Sequence, residues 1–322
     1  MEINIAIIGC GIWGRNIARN ASELGVLAGV CDTNQHHAEA FSKQFSCPTY
    51  SLEQILQTDS ISGVLVVTNA NSHEKIACAV LEAGKHVYIE KPLALTMESA
   101  LHIKQAAIKA NKQVMVGHLL QYHPAYIELK QQVNNGIIGD IQHIQANRLA
   151  MGRIRKSESA IYDLCPHDLS LILGLVKTMP GSINCASASH VTHNGGDIIV
   201  TNFKFPGDIT AVMHTSWYSP YKEHRLVVTG TKGSIMFDDT KPSDQKLTFY
   251  QDKILDEGDA IQIERAEPAF LPIQEGEPLR NEVSAFIDVC KTNSPAITDM
   301  EEALKIQEIL TEMSQQTQQD TS

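Results

Sequence analysis

The first twenty residues constrain the fold more than any other stretch of the chain. The β-branched, apolar run Ile3–Ile8 is typical of a strand that is covered on both faces. A helical pattern begins shortly afterwards, near Trp13. Between the two lies the pattern G-x-G-x-x-G, formed by Gly9, Gly11 and Gly14. This order predicts a strand, a tight turn and a helix whose glycines have three separate tasks.

Each glycine of this turn has its own physical reason. Gly9 permits the sharp turn, Gly11 lets the backbone approach a pyrophosphate, and Gly14 lets the helix pack close to the strand. The helix start at Ile12 and Trp13 offers free N–H groups and the positive end of the helix dipole to phosphates. We therefore predict that these five residues bind a dinucleotide. The alternative is a tight structural turn without a ligand.

An acidic residue follows at the distance that a dinucleotide site requires. Leu24–Val30 has the pattern of a second strand, and Asp32 comes directly after it. A carboxylate there holds the adenosine ribose hydroxyls. Thr33 and Asn34 follow, so a 2′-phosphate would meet a carboxylate and no arginine. The sequence therefore favours NAD over NADP. The alternative for Asp32 is a solvated side chain.

Length and charge exclude several classes of protein. The 322 residues suggest two domains. The formal net charge of -11 argues against a general binder of nucleic acid or of anionic membranes, whose affinity would require a basic surface. No apolar run approaches the ~18 residues of a membrane span. We expect partners among small molecules, with no nucleic acid and no membrane.

Cysteines, histidines and the N-terminus indicate the compartment. The seven cysteines are scattered, odd in number and without a C-x-x-C pair, which is typical of free thiols in a reducing cytoplasm. The sequence begins directly with a strand pattern and shows no signal-peptide pattern. The thirteen histidines have no metal-ligand spacing, so we expect no metal. The expected location is cytoplasmic.

Strands and helices alternate through the first part of the chain. Further strands are predicted at Pro48–Tyr50, which is short, at Ile61–Thr68, which is buried, and at His86–Ile89 and Val114–Gln121. With the intervening helices they make about six βα steps, which predict a doubly wound parallel sheet. We place the nucleotide-binding domain at 1–121.

The pattern changes in the second part, which we assign to a substrate-binding and oligomerisation domain at 122–322. Alternating strand patterns predict one large, open, mostly antiparallel sheet, hence an α+β domain. The predicted strands are Ile141–Met151, Ser182–His193, Ile198–Phe205, Thr210–Trp217, Arg225–Thr229, Ser234–Asp238 and Lys246–Tyr250. The predicted helices are Pro166–Val176, Pro278–Cys290 and Thr298–Gln315.

Polar residues follow two of the parallel strands at their carboxyl ends, where doubly wound sheets bind ligands. Thr68, Asn69 and His73 follow the Ile61–Thr68 strand, and we predict that they line the cofactor; a helix-capping loop is the alternative. Glu90 and Lys91 follow the next strand and are predicted to meet the cofactor as well.

Lys91 is the first candidate catalytic residue. It stands at a strand end, near the predicted nicotinamide, and the following Pro92 restricts it to extended geometry. A cation there hydrogen-bonds a substrate hydroxyl and stabilises developing alkoxide charge. The alternative is an ordinary surface lysine.

Asp163 and His167 form the second candidate. Pro166 suits the first turn of a helix, so His167 lies at the helix start, with Asp163 four residues before it. Imidazole is suited to accept the hydroxyl proton of an alcohol while hydride leaves the carbon. A neighbouring carboxylate orients the ring and stabilises its cation. The alternative is a capping aspartate beside a semi-buried histidine.

A basic stretch offers further substrate contacts. Arg148, Arg153, Arg155 and Lys156 lie within ten residues of an otherwise acidic chain. We predict that Arg148 and Arg153 meet a diphosphate or carboxylate of the substrate; a solvated loop is the alternative. Tyr122 is also predicted to contact the substrate.

Together these motifs resemble the Gfo/Idh/MocA oxidoreductases. The resemblance rests on Gly9–Gly14, Asp32, Glu90-Lys-Pro92 and the D-x-x-x-H pattern of Asp163 and His167, followed by the strand-rich second half. It implies a Rossmann domain, NAD(P)-linked oxidation or reduction at a sugar or cyclitol carbon, and a homodimer or homotetramer built through the open sheet. It also implies that Lys91 contacts the reacting hydroxyl and that His167 is the acid/base with Asp163 beside it.

Finer details favour one branch of that family. Trp13, Asn16, Arg19-Asn20 and the sequence Leu164–Asp168 resemble members that act on nucleotide-linked sugars in polysaccharide or lipopolysaccharide synthesis. UDP-N-acetylglucosamine 3-dehydrogenases, which convert the 3-hydroxyl to a 3-keto group, are the suggested group. Two alternatives stay open, a dehydrogenase of a free sugar or inositol and a catalytically silent NAD-binding regulator.

Overall fold

The computed structural model describes residues 3–152, 154, 159–191, 196–256, 258 and 260–319. The chain forms two compact units. Unit 1 contains the residues up to Tyr122 together with Gly276–Glu308. Unit 2 contains His123–Glu275 and the residues from Ile309 on. Unit 1 therefore differs from the predicted first domain of 1–121, because a segment from late in the sequence joins it.

Fifteen strands and ten α-helices lie in the described ranges. The strands are β1 (Asn4–Ile8), β2 (Leu27–Cys31), β3 (Ile61–Val66), β4 (His86–Ile89), β5 (Val114–Val116), β6 (Ile141–Met151), β7 (Ser182–Ala188), β8 (Ile198–Lys204), β9 (Thr210–Ser216), β10 (Tyr218–Gly230), β11 (Gly233–Asp238), β12 (Leu247–Tyr250), β13 (Lys253–Asp256), β14 (Ile261–Glu264) and β15 (Ala269–Phe270). The helices are α1 (Ile12–Glu23), α2 (Gln35–Phe45), α3 (Leu52–Gln57), α4 (His73–Glu82), α5 (Met97–Ala110), α6 (Pro124–Asn134), α7 (Ala160–Asp163), α8 (Cys165–Val176), α9 (Pro278–Thr292) and α10 (Met300–Gln319). None of the helices in these ranges combines the length and the apolarity that crossing a membrane requires.

Unit 1 contains a five-stranded parallel sheet with the strand order β2-β1-β3-β4-β5. Side chains alternate across a strand, so β1 contributes to both faces. Ile5 and Ile7 are buried in one apolar cluster, and Ala6 and Ile8 in another. The apolar run at the start of the sequence is therefore continuous because both faces of its strand are covered. The predicted parallel sheet is confirmed.

Two of the predicted parallel strands differ most from those in the structure. The strand predicted over Val114–Gln121 ends at Val116, and a 3-10 turn follows over Leu119–Tyr122. The segment Pro48–Tyr50 contributes an isolated parallel bridge from Thr49 to β2 instead of a strand. Proline lacks a backbone N–H, which limits how far a ladder can extend through that segment.

Helix α9 belongs to unit 1 because its apolar side packs on the parallel sheet. Val283 and Phe286 are buried in the same cluster as the β1 residues, and the rings of Phe286 and Tyr88 meet edge to face at 6.0 Å. Gly63 of β3 makes the close packing possible, since a Cβ there would lie 2.5 Å from the Cys290 sulfur. Helix α9 therefore lies within the predicted second domain of 122–322 but belongs to unit 1.

Unit 2 contains an eight-stranded sheet with the order β15-β12-β11-β10-β6-β9-β8-β7. β6 and β9 run parallel, and the other neighbouring pairs of described strands run antiparallel. Buried and exposed residues alternate along β8, which is typical of a sheet with one covered face. The predicted large, mostly antiparallel sheet is confirmed.

Details of this sheet differ from the sequence prediction. β10 begins at Tyr218, seven residues before the predicted strand Arg225–Thr229, and it pairs with β6 across a register shift. β7 ends at Ala188, before the predicted end at His193. β13 and β14 form a separate two-stranded ribbon that the sequence pattern does not predict.

Candidate active site

The glycine loop between β1 and α1 has the geometry that its three tasks require. Gly9 has a φ of +108°, and a Cβ there would lie 2.3 Å from the carbonyl oxygen of Val67. A Cβ at Gly14 would lie 2.2 Å from the carbonyl oxygen of Gly9. Gly11 instead borders open space, with no described atom within 4 Å of its Cβ position. The loop is therefore open where the backbone would approach a pyrophosphate.

The N-terminus of α1 is suited to an anion. Gly11 is the N-cap and has no side chain to satisfy the first N–H groups of the helix. Ile12 and Trp13, the first two helical residues, are 77% and 38% exposed, and the first turn has no acidic residue. Free N–H groups and the positive dipole end thus fit the diphosphate of a dinucleotide.

Asp32 is fixed by the backbone that surrounds it. The Cys10 N–H donates to Oδ2 and the Asn34 N–H donates to Oδ1, each at 2.7 Å. These bonds tie the glycine loop to the end of β2. The side chain is half-buried, and each carboxylate oxygen has a second lone pair. Asp32 can therefore accept hydrogen bonds from ribose hydroxyls without moving.

Several residues of the polar segment after β3 form hydrogen bonds within the protein. The Ser72 hydroxyl donates to Thr68 Oγ1 at 2.7 Å, and Asn69 is exposed. His73 is buried, with Nδ1 2.9 Å from the Pro92 carbonyl oxygen and Nε2 3.1 Å from the Thr68 carbonyl oxygen. This placement favours a structural role for His73, tying two loops together, over the cofactor contact that the sequence predicts.

Glu90 and Lys91 follow the carboxyl end of β4. The carboxyl ends of parallel strands meet at one edge of a sheet, so these residues share that edge with the glycine loop and Thr68. Both side chains are half-buried, and the Lys91–Pro92 peptide bond is cis. Lys91 thus lies at the carboxyl edge of the parallel sheet.

Glu90 connects Lys91 to the interior of unit 1. Its Oε2 lies 3.0 Å from the Tyr88 hydroxyl, and it accepts a hydrogen bond from the Trp13 indole. Burial raises the pKa of Glu90, while Lys91, Trp13 and Tyr88 favour its ionised form. The Tyr88 hydroxyl also lies 3.1 Å from Oε2 of Glu282, a buried residue of α9.

Glu282 is not among the residues predicted from the sequence, although its position in the sequence is unusual. Glu282 stands in the apolar stripe that Leu279, Val283 and Phe286 form at helical spacing. If the apolar face of the helix is buried, a carboxyl group within that face is buried as well. This position marks an unusual residue but does not reveal its partner, which lies 194 positions away.

In unit 2, Asp163 and His167 flank a break between two helices. Asp163 is the last residue of α7, and α8 begins at Cys165 with Pro166 in its first turn, as predicted. His167 follows in that turn, and its N–H donates to the Leu164 carbonyl oxygen at 3.2 Å. Asp163 is buried and His167 half-buried.

A cleft in unit 2 is lined in part by Asp163, Arg148 and His224. Arg148 is buried, and its Nε and Nη2 donate to the two carboxylate oxygens of the buried Asp168, each at 2.9 Å. Such a bidentate pair compensates the guanidinium charge. The structure therefore favours a structural role for Arg148 in the cleft wall over the anion contact that the sequence predicts.

His224 is a further cleft residue that is not predicted from the sequence. Burial and the positive charges of Arg148 and Lys222 lower the pKa of His224 to about 4. The cleft thus has a neutral imidazole at neutral pH. No motif spacing marks His224, because it reaches the cleft through the strand pairing of β10 with β6.

Two predicted substrate residues remain. Tyr122 is buried in the apolar core of unit 1, and its hydroxyl lies 2.9 Å from Thr298 Oγ1. Burial raises the pKa of Tyr122. This position favours a structural role over the substrate contact that the sequence predicts. Arg153, like Arg155 and Lys156, lies outside the described residues.

Relatives and solved structures agree with this architecture. A UDP-N-acetylglucosamine 3-dehydrogenase of Acidithiobacillus ferrooxidans is 29% identical over 193 residues, 60% of either protein. A 2,7-anhydro-N-acetylneuraminate hydratase of Escherichia coli is 23% identical over 251 residues, 73% of this chain and 68% of the relative. The solved structure of the A. ferrooxidans dehydrogenase superposes with a TM-score of 0.85 over 98% of both chains, at 22% identity, and shows a common fold.

The family itself follows from two adjacent matches. The sequence model of the oxidoreductase family with an NAD-binding Rossmann fold matches residues 3–118, which contain the glycine loop, Asp32 and Lys91. The model of the GFO/IDH/MocA C-terminal domain matches residues 126–236, which contain Asp163 and His167. Both matches agree with the fold of their unit, and the chain belongs to the Gfo/Idh/MocA family of NAD-binding oxidoreductases.

Proposed function

We propose that this oxidoreductase is an NAD-dependent sugar dehydrogenase that transfers hydride between the CH–OH group of a sugar and the nicotinamide ring. The observation that carries the proposal is the edge of the parallel sheet. There an uncapped helix N-terminus and the fixed carboxylate of Asp32 suit a dinucleotide, and Lys91 follows at a strand end. The family membership supports the same reaction class.

The reaction needs partners for one hydride and one proton. NAD held at the glycine loop and Asp32 would supply the hydride acceptor for the sugar carbon. Lys91 donates a hydrogen bond to the reacting oxygen and stabilises its developing negative charge. His167 accepts the hydroxyl proton, and Asp163 stabilises the imidazolium that results. These roles for Lys91, His167 and Asp163 are part of the proposal.

The proposed substrate is a nucleotide-linked sugar, with UDP-N-acetylglucosamine oxidised at its 3-hydroxyl in polysaccharide or lipopolysaccharide synthesis as the specific case. The partial similarity to a UDP-N-acetylglucosamine 3-dehydrogenase supports this choice. A free sugar or inositol is the second candidate. It is favoured by the Arg148–Asp168 pair, because a compensated guanidinium offers little to a diphosphate.

We also propose that the chain forms a homodimer or homotetramer through the sheet of unit 2. Val200, Tyr218 and Tyr221 are large apolar side chains on β8 and β10 that are exposed in the single chain. Large apolar side chains that stay exposed on two strands of one sheet are consistent with a surface that another copy covers. Light scattering coupled to size exclusion gives the assembly mass, and a monomer would contradict the proposal.

A substrate panel tests the function. The purified protein is incubated with NAD or NADP and UDP-N-acetylglucosamine, other nucleotide sugars, free N-acetylglucosamine, glucose or myo-inositol. Absorbance at the wavelength of reduced nicotinamide and mass spectrometry of the sugar are followed together. A keto product of UDP-N-acetylglucosamine with matching reduced cofactor supports the proposal. Oxidation of inositol alone favours the second candidate.

The same panel distinguishes the other outcomes. A changed sugar without reduced cofactor would indicate net chemistry other than dehydrogenation. Cofactor binding without turnover of any of these substrate classes would favour a catalytically silent regulator. Lys91→Met should lose turnover, whereas Lys43→Met, which removes an exposed ammonium group on α2, is the matched control and should not.

A further inference from the structure

Three side chains of unit 1 form a line that leads from the buried side of the parallel sheet to Lys91. Glu282 on α9, Tyr88 on β4 and Glu90 meet through the Tyr88 hydroxyl, which is 3.1 Å from one carboxyl group and 3.0 Å from the other. The close approach is possible because residue 117 is glycine. A Cβ there would lie 2.5 Å from the Tyr88 oxygen and 2.7 Å from Glu90 Oε2.

The number of protons in this line follows from its geometry. Two oxygen–oxygen contacts of hydrogen-bond length need two protons, and the Tyr88 hydroxyl supplies one. If both carboxyl groups were ionised, one contact would join two acceptors with no proton between them. One of the two carboxyl groups therefore carries the second proton.

The surroundings identify Glu282 as the protonated group. Its side chain is 1% exposed, and its Oε1 makes no hydrogen bond with the described part of the chain. A buried carboxylate oxygen without a hydrogen bond strongly disfavours the ionised form, and the neutral carboxyl group is less affected. Glu90 is less buried than Glu282, and the hydrogen bond from the Trp13 indole and the charge of the adjacent Lys91 favour its ionised form.

We propose that Glu282 and Tyr88 are positioning residues for the catalytic edge: protonated Glu282 donates to the Tyr88 oxygen, and Tyr88 donates to Glu90, whose carboxylate is thereby held ionised beside Lys91 and Trp13. Hydrogen bonds in such a chain strengthen one another. The catalytic importance of this arrangement rests on the proposed function of Lys91. The order of donors and acceptors does not.

Other titratable groups lie near Glu282, Tyr88 and Glu90 and influence the pH at which these groups titrate. His118 favours the ionised form of Glu90, and its Nδ1 lies 2.6 Å from Oε2 of Glu302. Tyr122 is a further buried phenol that lies near Glu282 and Glu302. Burial and the charge of Glu90 hold the pKa of Glu282 well above its usual range. A titration must therefore be assigned to Glu90 by substitution.

The NMR signal of the Trp13 indole N–H reports the protonation state of Glu90, because the indole donates a hydrogen bond to that carboxylate. The chain has two tryptophans, so protein labelled with ¹⁵N-tryptophan gives two indole N–H signals. Trp217 belongs to unit 2, where its Nε1 donates to Asp197 at 3.0 Å, and serves as an internal reference. Trp13→Phe assigns the Trp13 signal. We expect this signal to titrate with a midpoint above the ordinary glutamate pKa, and Glu90→Gln should abolish the transition.

Two variants then test the order of the hydrogen bonds. Tyr88→Phe removes a donor to ionised Glu90 and should raise the midpoint by about 1 pH unit. Glu282→Gln keeps a neutral donor to the Tyr88 oxygen and should leave the midpoint within about 0.3 unit. If Glu282 were ionised instead, Glu282→Gln would remove a nearby negative charge and lower the midpoint by about 1 unit or more.

The outcomes separate this proposal from the proposed function, because the titration needs neither cofactor nor substrate. A lowered midpoint in Glu282→Gln, or an unchanged midpoint in Tyr88→Phe, would overturn the proposal. If Tyr88→Phe fails to fold, which circular dichroism and loss of the Trp13 signal reveal, Glu282→Met replaces it. That variant removes the donor to Tyr88 and should raise the midpoint slightly, whereas an ionised Glu282 again predicts a fall.

Discussion

Asp32→Asn is the substitution that tests cofactor choice most directly. If a 2′-phosphate approached Asp32 to about 4 Å, each pair of unit charges would cost about 1 kcal/mol even in water, and the phosphate carries about two charges. About 2 kcal/mol corresponds to a ~30-fold preference for NADH over NADPH. The substitution removes this repulsion and weakens the bonds to the ribose hydroxyls, so we expect the preference to fall by at least that factor.

The same substitution has a structural cost that the contacts of Asp32 define. Its two oxygens accept the N–H groups of Cys10 and Asn34 at 2.7 Å. The amide side chain that Asp32→Asn introduces has a single oxygen, so one N–H faces an NH₂ group instead. Loss of a hydrogen bond to a charged group costs about 1.5–3 kcal/mol, less where water can enter. We therefore expect a measurable fall in thermal stability as well.

Fluorescence titrations of NADH and NADPH with the wild type and Asp32→Asn give the four dissociation constants. Glu53→Gln, which removes an exposed carboxylate on α3, is the control for the change in net charge. The preference of the wild type should weaken as salt is raised, because the repulsion is screened. Tighter binding of NADPH than of NADH by the wild type, or an unchanged ratio in Asp32→Asn, would refute the reasoning.

Three further predictions concern catalysis and pH. His167→Asn should lower kcat by about 10²–10⁴-fold, leave NADH affinity unchanged and abolish the limb of the pH–rate profile that rises as the imidazole deprotonates; near-normal kcat would make His167 structural. Lys91→Met should also impair turnover, and if both residues serve one step, the double variant should lose far less than the product of the single losses. Burial, with a contribution from Lys112, lowers the pKa of His86 to about 4, and its Nδ1 accepts from the Gln113 N–H at 3.2 Å. Between its ordinary pKa of 6.5 and about 4 the unfolded chain binds a proton that the folded chain does not, so stability should fall as pH is lowered through this window, by at most about 1.4 kcal/mol per pH unit for this group. Urea unfolding at several pH values should show a shallower slope for His86→Gln, and equal slopes would contradict the assignment.

The sequence predicts those parts of the site that depend on neighbours in the chain. The glycine loop follows from the order of strand, turn and helix, and Gly9 and Gly14 have the close approaches that the pattern requires. Pro166 in the first turn of α8 follows from its fixed φ. In each case the physical cause lies within a few residues, so spacing alone contains it.

The parts that the sequence does not predict depend on distant partners. The Tyr122 hydroxyl forms a hydrogen bond with Thr298, which lies 176 positions away in the sequence. The residues next to Tyr122 in the sequence do not distinguish it from a surface tyrosine at a domain boundary. His73 likewise lies in a polar cluster that predicts a cofactor site, but the buried loop after β4 supplies its partner, the Pro92 carbonyl. The choice between ligand and protein contact is made by packing, which a local pattern does not contain.

Helix α9 shows how a late segment becomes part of the dinucleotide-binding unit. Its apolar stripe covers one face of the parallel sheet, where Phe286 meets the Tyr88 ring. The same stripe delivers Glu282 to the Tyr88 hydroxyl. Without α9, that hydroxyl would keep Glu90 as a partner but lose the donor that orients it. One helix therefore both covers a face of the sheet and orients the hydroxyl that contacts Glu90. Substitutions in α9 are expected to change both together unless, like Glu282→Gln, they preserve the shape and the donor.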